Sequence, residues 1–600
     1  MHLLFRYILL IGPYILLFAG SYKADIWLPE SEGQNIKVKI TIPVLTANTA
    51  SYTIPGYTYG MLSHIATTDI ILHFTAAGDN GKKQPLIIGD NRSFRIRKAY
   101  DTDYLQYEIN PQTISYLNRE EELSPISWLP GSYFFGEMSF LLGYINNSIS
   151  QSYEIIIHHP TSWQSLLHSD KISSSTPGST VIRVDGYEAL ADMPLLFGLS
   201  ETLTAYPHFK LIQCGNTKKE NTEMLLRAIV PLSEDLQRIL PPDSAHLHRQ
   251  IFIWNDQIRG RKQGKISGIS YQGQSLLFIN ADHLTEGGIS KLQKITAHEW
   301  FHLLTPGKLF SDRIHHRDVA DRASSMYWFY EGLPEYLASK FLVSRSYWNE
   351  ETYINDFSAK VKNYLSSPAI NISAASRQNG KGGSLMPYYN EGALLCWILD
   401  LYIMQKTDDR LNLWKSLAGY VMELDGHPFE EDAFIADLSR HSSTDLTAIY
   451  NKYINDKKRI PFDDFIGFMG WEYAKETRIS KGSYGQFMII PNTGFSGFYF
   501  DKVGDNSIEL MTGDILLAVN GEETTHLNYK LHLQWLKQPE PGRKIHLEVS
   551  RQGRKLMLYG TAFDHPSYCL HCILPRDKPR FAEDVFREKF FLQDFSQPIP

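Results

Sequence analysis

Apolar residues repeat at two different spacings along this chain, and the changes of spacing divide it. From about Asn35 to His159 the spacing is two: Ile36, Val38, Ile40 and Ile42 alternate with polar or basic neighbours, and Phe94 and Ile96 alternate with Arg95 and Arg97. Such alternation puts one side of each segment in a core and the other in water, as in half-buried antiparallel strands. Turn formers recur between them, in Gly78-Asp79-Asn80-Gly81 and Pro130-Gly131-Ser132, which suits a β-sandwich. The serine-rich stretch from Asp170 to Pro177 reads as a linker or loop. Beyond it, Glu223 to Leu240 reads as helix, Gln250 to Trp254 and Ser275 to Asn280 as strands, and helices dominate from Ser290. Glu391 to Gln405 is apolar nearly all round, hence buried, and Asp409 to Glu423 is amphipathic. Short strands return after about Trp471, in Gly497-Phe498-Tyr499-Phe500, in Gly513 to Gly521 and in Ile545 to Val549. A chain of 600 residues exceeds what one core serves, so three folded units are expected.

Charge excludes one class of partner. The formal net charge is -7 with 21% charged residues, and no run of like charge forms a nucleic-acid tail or a polybasic membrane patch. At the N-terminus, Arg6 precedes an apolar run from Tyr7 to Ala19 broken by Gly12 and Pro13. The run is short of the ~20 residues that span a bilayer, and Ala19, Gly20 and Ser21 follow it, so it reads as an export signal, with an uncleaved N-terminal anchor as the alternative. No other membrane span is expected. The four Cys (Cys214, Cys396, Cys569, Cys572) are too few for a disulfide scaffold. Cys569-Leu-His-Cys572 reads as a local disulfide or two free thiols; a metal site there lacks a second pair of ligands.

The chemistry concentrates between residues 290 and 336. Ser290 can cap a helix that runs through Leu292 and Ile295 to His298-Glu299-Trp300-Phe301-His302 and stops at Thr305-Pro306-Gly307. Histidines at i and i+4 lie one above the other on one helix face, so both imidazoles reach a single cation. Zinc suits them, because it takes nitrogen and oxygen ligands tetrahedrally and keeps a position open for water. Glu299 stands beside the metal as a base for that water. The bland alternative is a helix with two incidental histidines. A third ligand is offered by Trp328-Phe329-Tyr330-Glu331-Gly332-Leu333-Pro334-Glu335-Tyr336, where a buried carboxylate without a cation would be costly; Glu331 is preferred and Glu335 competes. His315 and His316 sit in a charged loop and read as solvated.

With these residues the chain resembles the metallopeptidases typified by bacterial glycyl aminopeptidase. The further carriers are Trp128-Leu-Pro-Gly-Ser-Tyr133, Asp192-Met-Pro-Leu-Leu-Phe-Gly198 and Tyr388-Tyr389-Asn390-Glu391-Gly392-Ala393-Leu394-Leu395. The resemblance implies a multidomain protein: a signal at 1–22, an N-terminal β-sandwich at 23–165, an α+β thermolysin-like (gluzincin) catalytic domain at 166–470, a PDZ-like β domain at 471–566 and a tail at 567–600. It implies one Zn2+ per chain and an oxyanion donor at Tyr389, with Tyr388 its neighbouring alternative; a core Tyr pair capping a buried helix is the bland reading. Related aminopeptidases carry Gly-Gly-Leu-Glu-His on the strand lining the cleft, whose Glu binds the substrate's amino end. The match here is Ser267-Gly268-Ile269-Ser270-Tyr271, which puts Ser270 at that substrate-binding position and places aminopeptidase specificity in doubt. By the same resemblance Gly497 and Phe498 open a carboxylate-binding loop and strand for a C-terminal peptide. The expected function is an exported zinc peptidase acting on peptides or unfolded protein segments. The rivals are a non-catalytic peptide-binding protein with a vestigial zinc site, and a zinc hydrolase for a non-peptide bond. Serine-hydrolase elbows and phosphate-binding loops have no match.

Overall fold

The computed structural model describes residues 21–599 apart from 57–65, 90–91, 112, 114–124, 147, 167–170, 200, 207–208, 215–218, 241–248, 256–265, 272–273, 280–285, 314–323, 379–385, 492–496, 526–528, 538, 593–594 and 596–597. The signal expected at the N-terminus, His315 and His316 lie largely or wholly outside these residues. The chain divides into two compact units: residues 1–349, 369–460 and 588–600 form one, and 350–368 with 461–587 form the other.

The first unit begins with a β-rich region. An eight-stranded sheet takes Tyr22–Trp27, Ile36–Thr41, Tyr104–Ile109 and Tyr153–His158 at its centre, and two four-stranded sheets complete the region. Alternation does what the sequence implies: Ile36, Val38, Ile40 and Ile96 are fully buried while their neighbours face outward. The supposed linker is a correction. Ile172–Thr176 is an edge strand paired with Ser179–Val184, and its serines are tolerated because an edge strand here keeps most of its surface in water. At the heart of the region, phenols satisfy an irregular backbone. Tyr107 and Tyr187 donate to the carbonyls of Leu141 and Leu142, Tyr153 donates to Gly143, and the Gly143 and Ile145 amides donate to Tyr52 and Tyr22. A non-repeating segment cannot bond itself, so buried hydroxyls take the place of a ladder.

The sheet that frames the site follows. Glu201–Tyr206, Phe209–Cys214, Arg249–Asn255, Gln274–Ile279 and Ser267–Tyr271 lie side by side, the last two joined as an antiparallel hairpin at the edge. We call Ser267–Tyr271 β1 and Gln274–Ile279 β2. Three helices then carry the chemistry: α1 (Glu286–Phe301), α2 (Tyr327–Ser344) and α3 (Met386–Lys406). Helix α1 starts a turn before Ser290, so Ser290 lies inside it and does not cap it. Helices α2 and α3 touch backbone to backbone: a Cβ on Gly332 would stand 2.3 Å from the Gly392 carbonyl carbon, and one on Gly392 2.2 Å from the Trp328 oxygen. The start of α2 is held by Glu431, a buried carboxylate that accepts from the Ser325 amide (2.7 Å) and from the hydroxyls of Ser311, Ser324 and Ser325. An anion there complements the helix dipole. Along the same helix pair, fully buried Lys340 and the Tyr336 hydroxyl both bond Asp400. The chain's last stretch returns to this unit, where Phe595 packs 5.0 Å from Trp414 and the Ile599 amide donates to Ile239.

The second unit gathers helix Glu350–Ser366, a long ribbon of Trp471–Ser483 against Phe563–Pro575, and a β-sheet. In that sheet β3 (Met488–Pro491), β4 (Phe498–Asp501) and β5 (Ile515–Val519) are followed by Lys544–Arg551 and Arg554–Thr561 around Phe498, Phe500, Leu516, Val519, Leu547 and Val549. Asn520 and Gly521, both at positive φ, make the tight turn after β5. Cys572 is disulfide-bonded and therefore no zinc thiolate; the side chain of Cys569 lies outside the described residues. β4, which Gly497 and Phe498 open, is bonded by β3 on one side and, at Phe498 and Tyr499, by β5 on the other. An added peptide needs a strand with an open side, and among the described residues the sheet ends in β3 on one side and Arg554–Thr561 on the other. Among the described residues no helix is long and apolar enough to cross a membrane.

Candidate active site

His298 on α1 and His302, the residue just after that helix, stand one turn apart and meet edge to face, ring centroids 4.9 Å apart. The glycine contact between α2 and α3 is what brings the rest of the site to them, since it lets two helices with large side chains approach closely on one side. Glu331, next to Gly332, aims Oε2 between the imidazoles, 3.6 Å from His298 Nε2 and 3.7 Å from His302 Nε2. The three ligand atoms lie within 4.8 Å of one another, and all three residues are nearly buried. Among the described residues Glu331 Oε2 has no hydrogen-bond partner. A buried carboxylate oxygen left so is costly unless a cation completes it. The separations exceed a hydrogen bond but suit three donors each about 2.0–2.2 Å from one tetrahedral ion. The residues therefore fit zinc.

Their supports are visible. His302 Nδ1 lies 2.9 Å from the Thr305 carbonyl, which fixes the tautomer that presents Nε2 to a metal. His298 Nδ1 is 3.3 Å from Glu335 Oε2, within ion-pair reach, and Glu335 Oε1 is 2.7 Å from Lys294 Nζ. Glu335, the competing ligand in sequence terms, thus stands behind His298 and outside the ligand cluster.

Glu299 points the other way, to β1. Ser270 Oγ is 2.9 Å from Glu299 Oε2 and 2.9 Å from its backbone oxygen, and a Cβ on Gly268 would stand 2.6 Å from Glu299 Cγ. Burial raises the Glu299 pKa, while the two imidazoles and the Ser270 hydroxyl oppose that rise. Tyr389 stacks its ring 5.6 Å from His298, and burial, reinforced by the nearby Glu331 carboxylate, holds its phenol protonated well above the ordinary range. Its neighbour Tyr388 faces Tyr327 instead, at 6.2 Å. The structure thus brings His298, His302, Glu331, Glu299, Tyr389 and Ser270 together, while Gly497 and Phe498 belong to the second unit. Sequence reading missed Lys294, Gly268, Glu431 and the glycine pair. A Gly directly after each of two buried acids, in Glu331-Gly332 and Glu391-Gly392, was the one available signal for a close helix contact.

Residues 23–199 match the Peptidase M61 N-terminal domain, and residues 291–395 match M61 glycyl aminopeptidase. An aminopeptidase N family protein from Idiomarina loihiensis has this fold over 95% of the present chain and 100% of its own, with a TM-score of 0.64 at 16% identity. An M1 zinc metallopeptidase from Deinococcus radiodurans aligns more loosely, over 74% of this chain and 95% of its own, with a TM-score of 0.43 at 14% identity. No curated protein sequence matches. The M61 peptidase match spans α1 from Lys291, all of α2 and α3 up to Leu395, and so takes in both histidines, Glu299, Glu331 and Tyr389. With that segment similar to M61 glycyl aminopeptidase and residues 23–199 similar to the M61 N-terminal domain, the chain is a metallopeptidase.

Proposed function

We infer that the protein hydrolyses peptide bonds at a zinc centre held by His298, His302 and Glu331. The observation that carries this is the unpartnered, buried Glu331 oxygen between two imidazole nitrogens, with a second carboxylate, Glu299, at its side. Zinc bound there supplies a polarised carbonyl and a water of lowered pKa. Glu299 takes one proton from the attacking water and returns it to the departing amine nitrogen. The Tyr389 phenol, protonated throughout, donates to the oxyanion of the tetrahedral intermediate, where charge exists only at that stage. The test is Glu299→Gln: zinc stays at about one per chain while turnover falls by about 100-fold or more. Wild-type turnover in that variant would reject the reading.

The substrates we assign are peptides or unfolded protein segments, met after export through the N-terminal apolar segment. An exopeptidase anchors the substrate ammonium with a carboxylate, and at position 270 this chain has only a hydroxyl already engaged with Glu299. An N-acetylated peptide should therefore be cleaved within about tenfold of its free-amine form. A free-amine preference of about 100-fold or more would show an anchor elsewhere. We further assign the second unit as a PDZ-like module. Support comes from β3, whose outer side has no partner strand among the described residues, so that an extended peptide can add there.

A further inference from the structure

We propose that Ser270 is a positioning residue for the general base Glu299, and not a contact for the substrate's amino end. The inference rests on the role given to Glu299 above. Three features converge. First, register places Ser270 directly opposite Ser275 across the hairpin of β1 and β2, with hydroxyls 2.9 Å apart. Second, both hydroxyls lie near the Glu299 backbone oxygen, at 2.9 and 3.4 Å. That oxygen belongs to the last turn of α1, where carbonyls lose their helical partners and need others. Third, Ser270 Oγ also reaches Glu299 Oε2 at 2.9 Å, while no described residue donates to Oε1.

Each hydroxyl carries one proton, so the pair must divide two protons among the available acceptors. An ionised carboxylate is the strongest acceptor present, which sends the Ser270 proton to Oε2 and leaves the proton of fully buried Ser275 for Ser270 Oγ or the Glu299 carbonyl. Oε2 is then held and Oε1 is the oxygen left to take a proton from water. Gly268 completes the device. It lies on the same side of β1 two residues earlier, and any side chain there would strike Glu299 at 2.6 Å. The pattern Gly-x-Ser on this strand therefore seats the base. A Ser270→Glu change would set a second carboxylate against it, with the like-charge conflict that forces one of the pair to stay protonated.

The experiment compares zinc-loaded wild type, Ser270→Ala, Ser270→Thr, Glu299→Gln and the Ser270→Ala/Glu299→Gln double variant on one peptide, with zinc content measured for each. A hydrogen bond to a charged group sets the expected scale: kcat of Ser270→Ala falls by about 10- to 100-fold, with KM and zinc little changed. Ser270→Thr restores most of the rate, and adding Ser270→Ala to Glu299→Gln changes the residual rate less than about twofold, because a base that cannot accept a proton gains nothing from being seated. If the alanine variant does not fold, Ser270→Cys, a weaker donor of similar size, reads the same loss. Ser270→Ala at the wild-type rate with Glu299→Gln inactive overturns this inference alone, as does an equal loss in both backgrounds. Glu299→Gln at the wild-type rate overturns the base assignment and this inference with it.

Discussion

The two units hold their candidate functional groups in opposite ways. In the first, each reacting atom is fixed by groups behind it: His302 by Thr305, His298 by Glu335 and Lys294, Glu299 by Ser270. In the second, the candidate is a row of backbone groups on the open side of β3, defined by what does not pair with it. Side-chain chemistry of the first kind leaves its marks in residue identity. Edge chemistry of the second kind depends on which strand lies outermost, and residue identity says little about that. The contrast predicts that single side-chain changes extinguish the first function and barely touch the second.

The largest effect is expected from Glu331→Ala. Removing the carboxylate should strip zinc and bring peptide hydrolysis to background while the fold persists, read by metal analysis and circular dichroism. Retained zinc would break the contrast at its root.

Next comes a pair of glycine changes. Gly392→Ala forces a methyl group to 2.2 Å from the Trp328 oxygen, so both helices must move, and we expect destabilisation at or above the ~1–3 kcal/mol typical of overpacking, with activity lost as well. Gly513→Ala in the second unit meets nothing within 4 Å and is strained only by its φ of +94°, about 1–2 kcal/mol, with hydrolysis of short peptides unchanged. Thermal denaturation with parallel assays checks both. Equal effects would mean that the helix contact is softer than its geometry implies.

The smallest effect concerns the edge. With Glu299→Gln blocking turnover, a labelled peptide with a free C-terminus should bind by fluorescence anisotropy about tenfold more tightly than its C-terminal amide, the scale of one hydrogen bond to a charged group. Equal affinities would leave β3 without a carboxylate-binding role.

How much of this was legible follows the same contrast. His298 and His302 stood out because i and i+4 spacing on a helix has a direct spatial meaning, and Glu331 because a carboxylate among Trp, Phe and Tyr needs a reason. Ser270 was found through its strand, but the 2.9 Å approach of its hydroxyl to Glu299 depends on how α1 lies across β1, which no local spacing records. At Gly497 and Phe498 the limit is related, since a Gly-Phe-Tyr-Phe run announces a strand without saying how many partners it has. The strand at Ile172–Thr176 was hidden by its serines, because an edge strand needs little apolar surface. Glu431 and the two glycines act through contacts between distant segments, and such contacts have no local spacing to read.

The return of the chain's last stretch to the first unit sets an order in time. Phe595 packs with Phe301, Phe341 and Trp414, so it touches the helix that carries His298 and leads directly into His302. Ile599 bonds to Ile239, one residue before Leu240, whose carbonyl receives the Trp300 indole. The unit that begins first along the chain therefore cannot finish folding until residues beyond 588 have been made, after every strand of the other unit. At roughly 5–20 residues per second, this unit stays incomplete on the ribosome for as long as the whole of the other unit takes to be made. A nick anywhere between Lys589 and Phe595 in the finished protein would therefore loosen the helix that carries His298 without touching a residue of the candidate site.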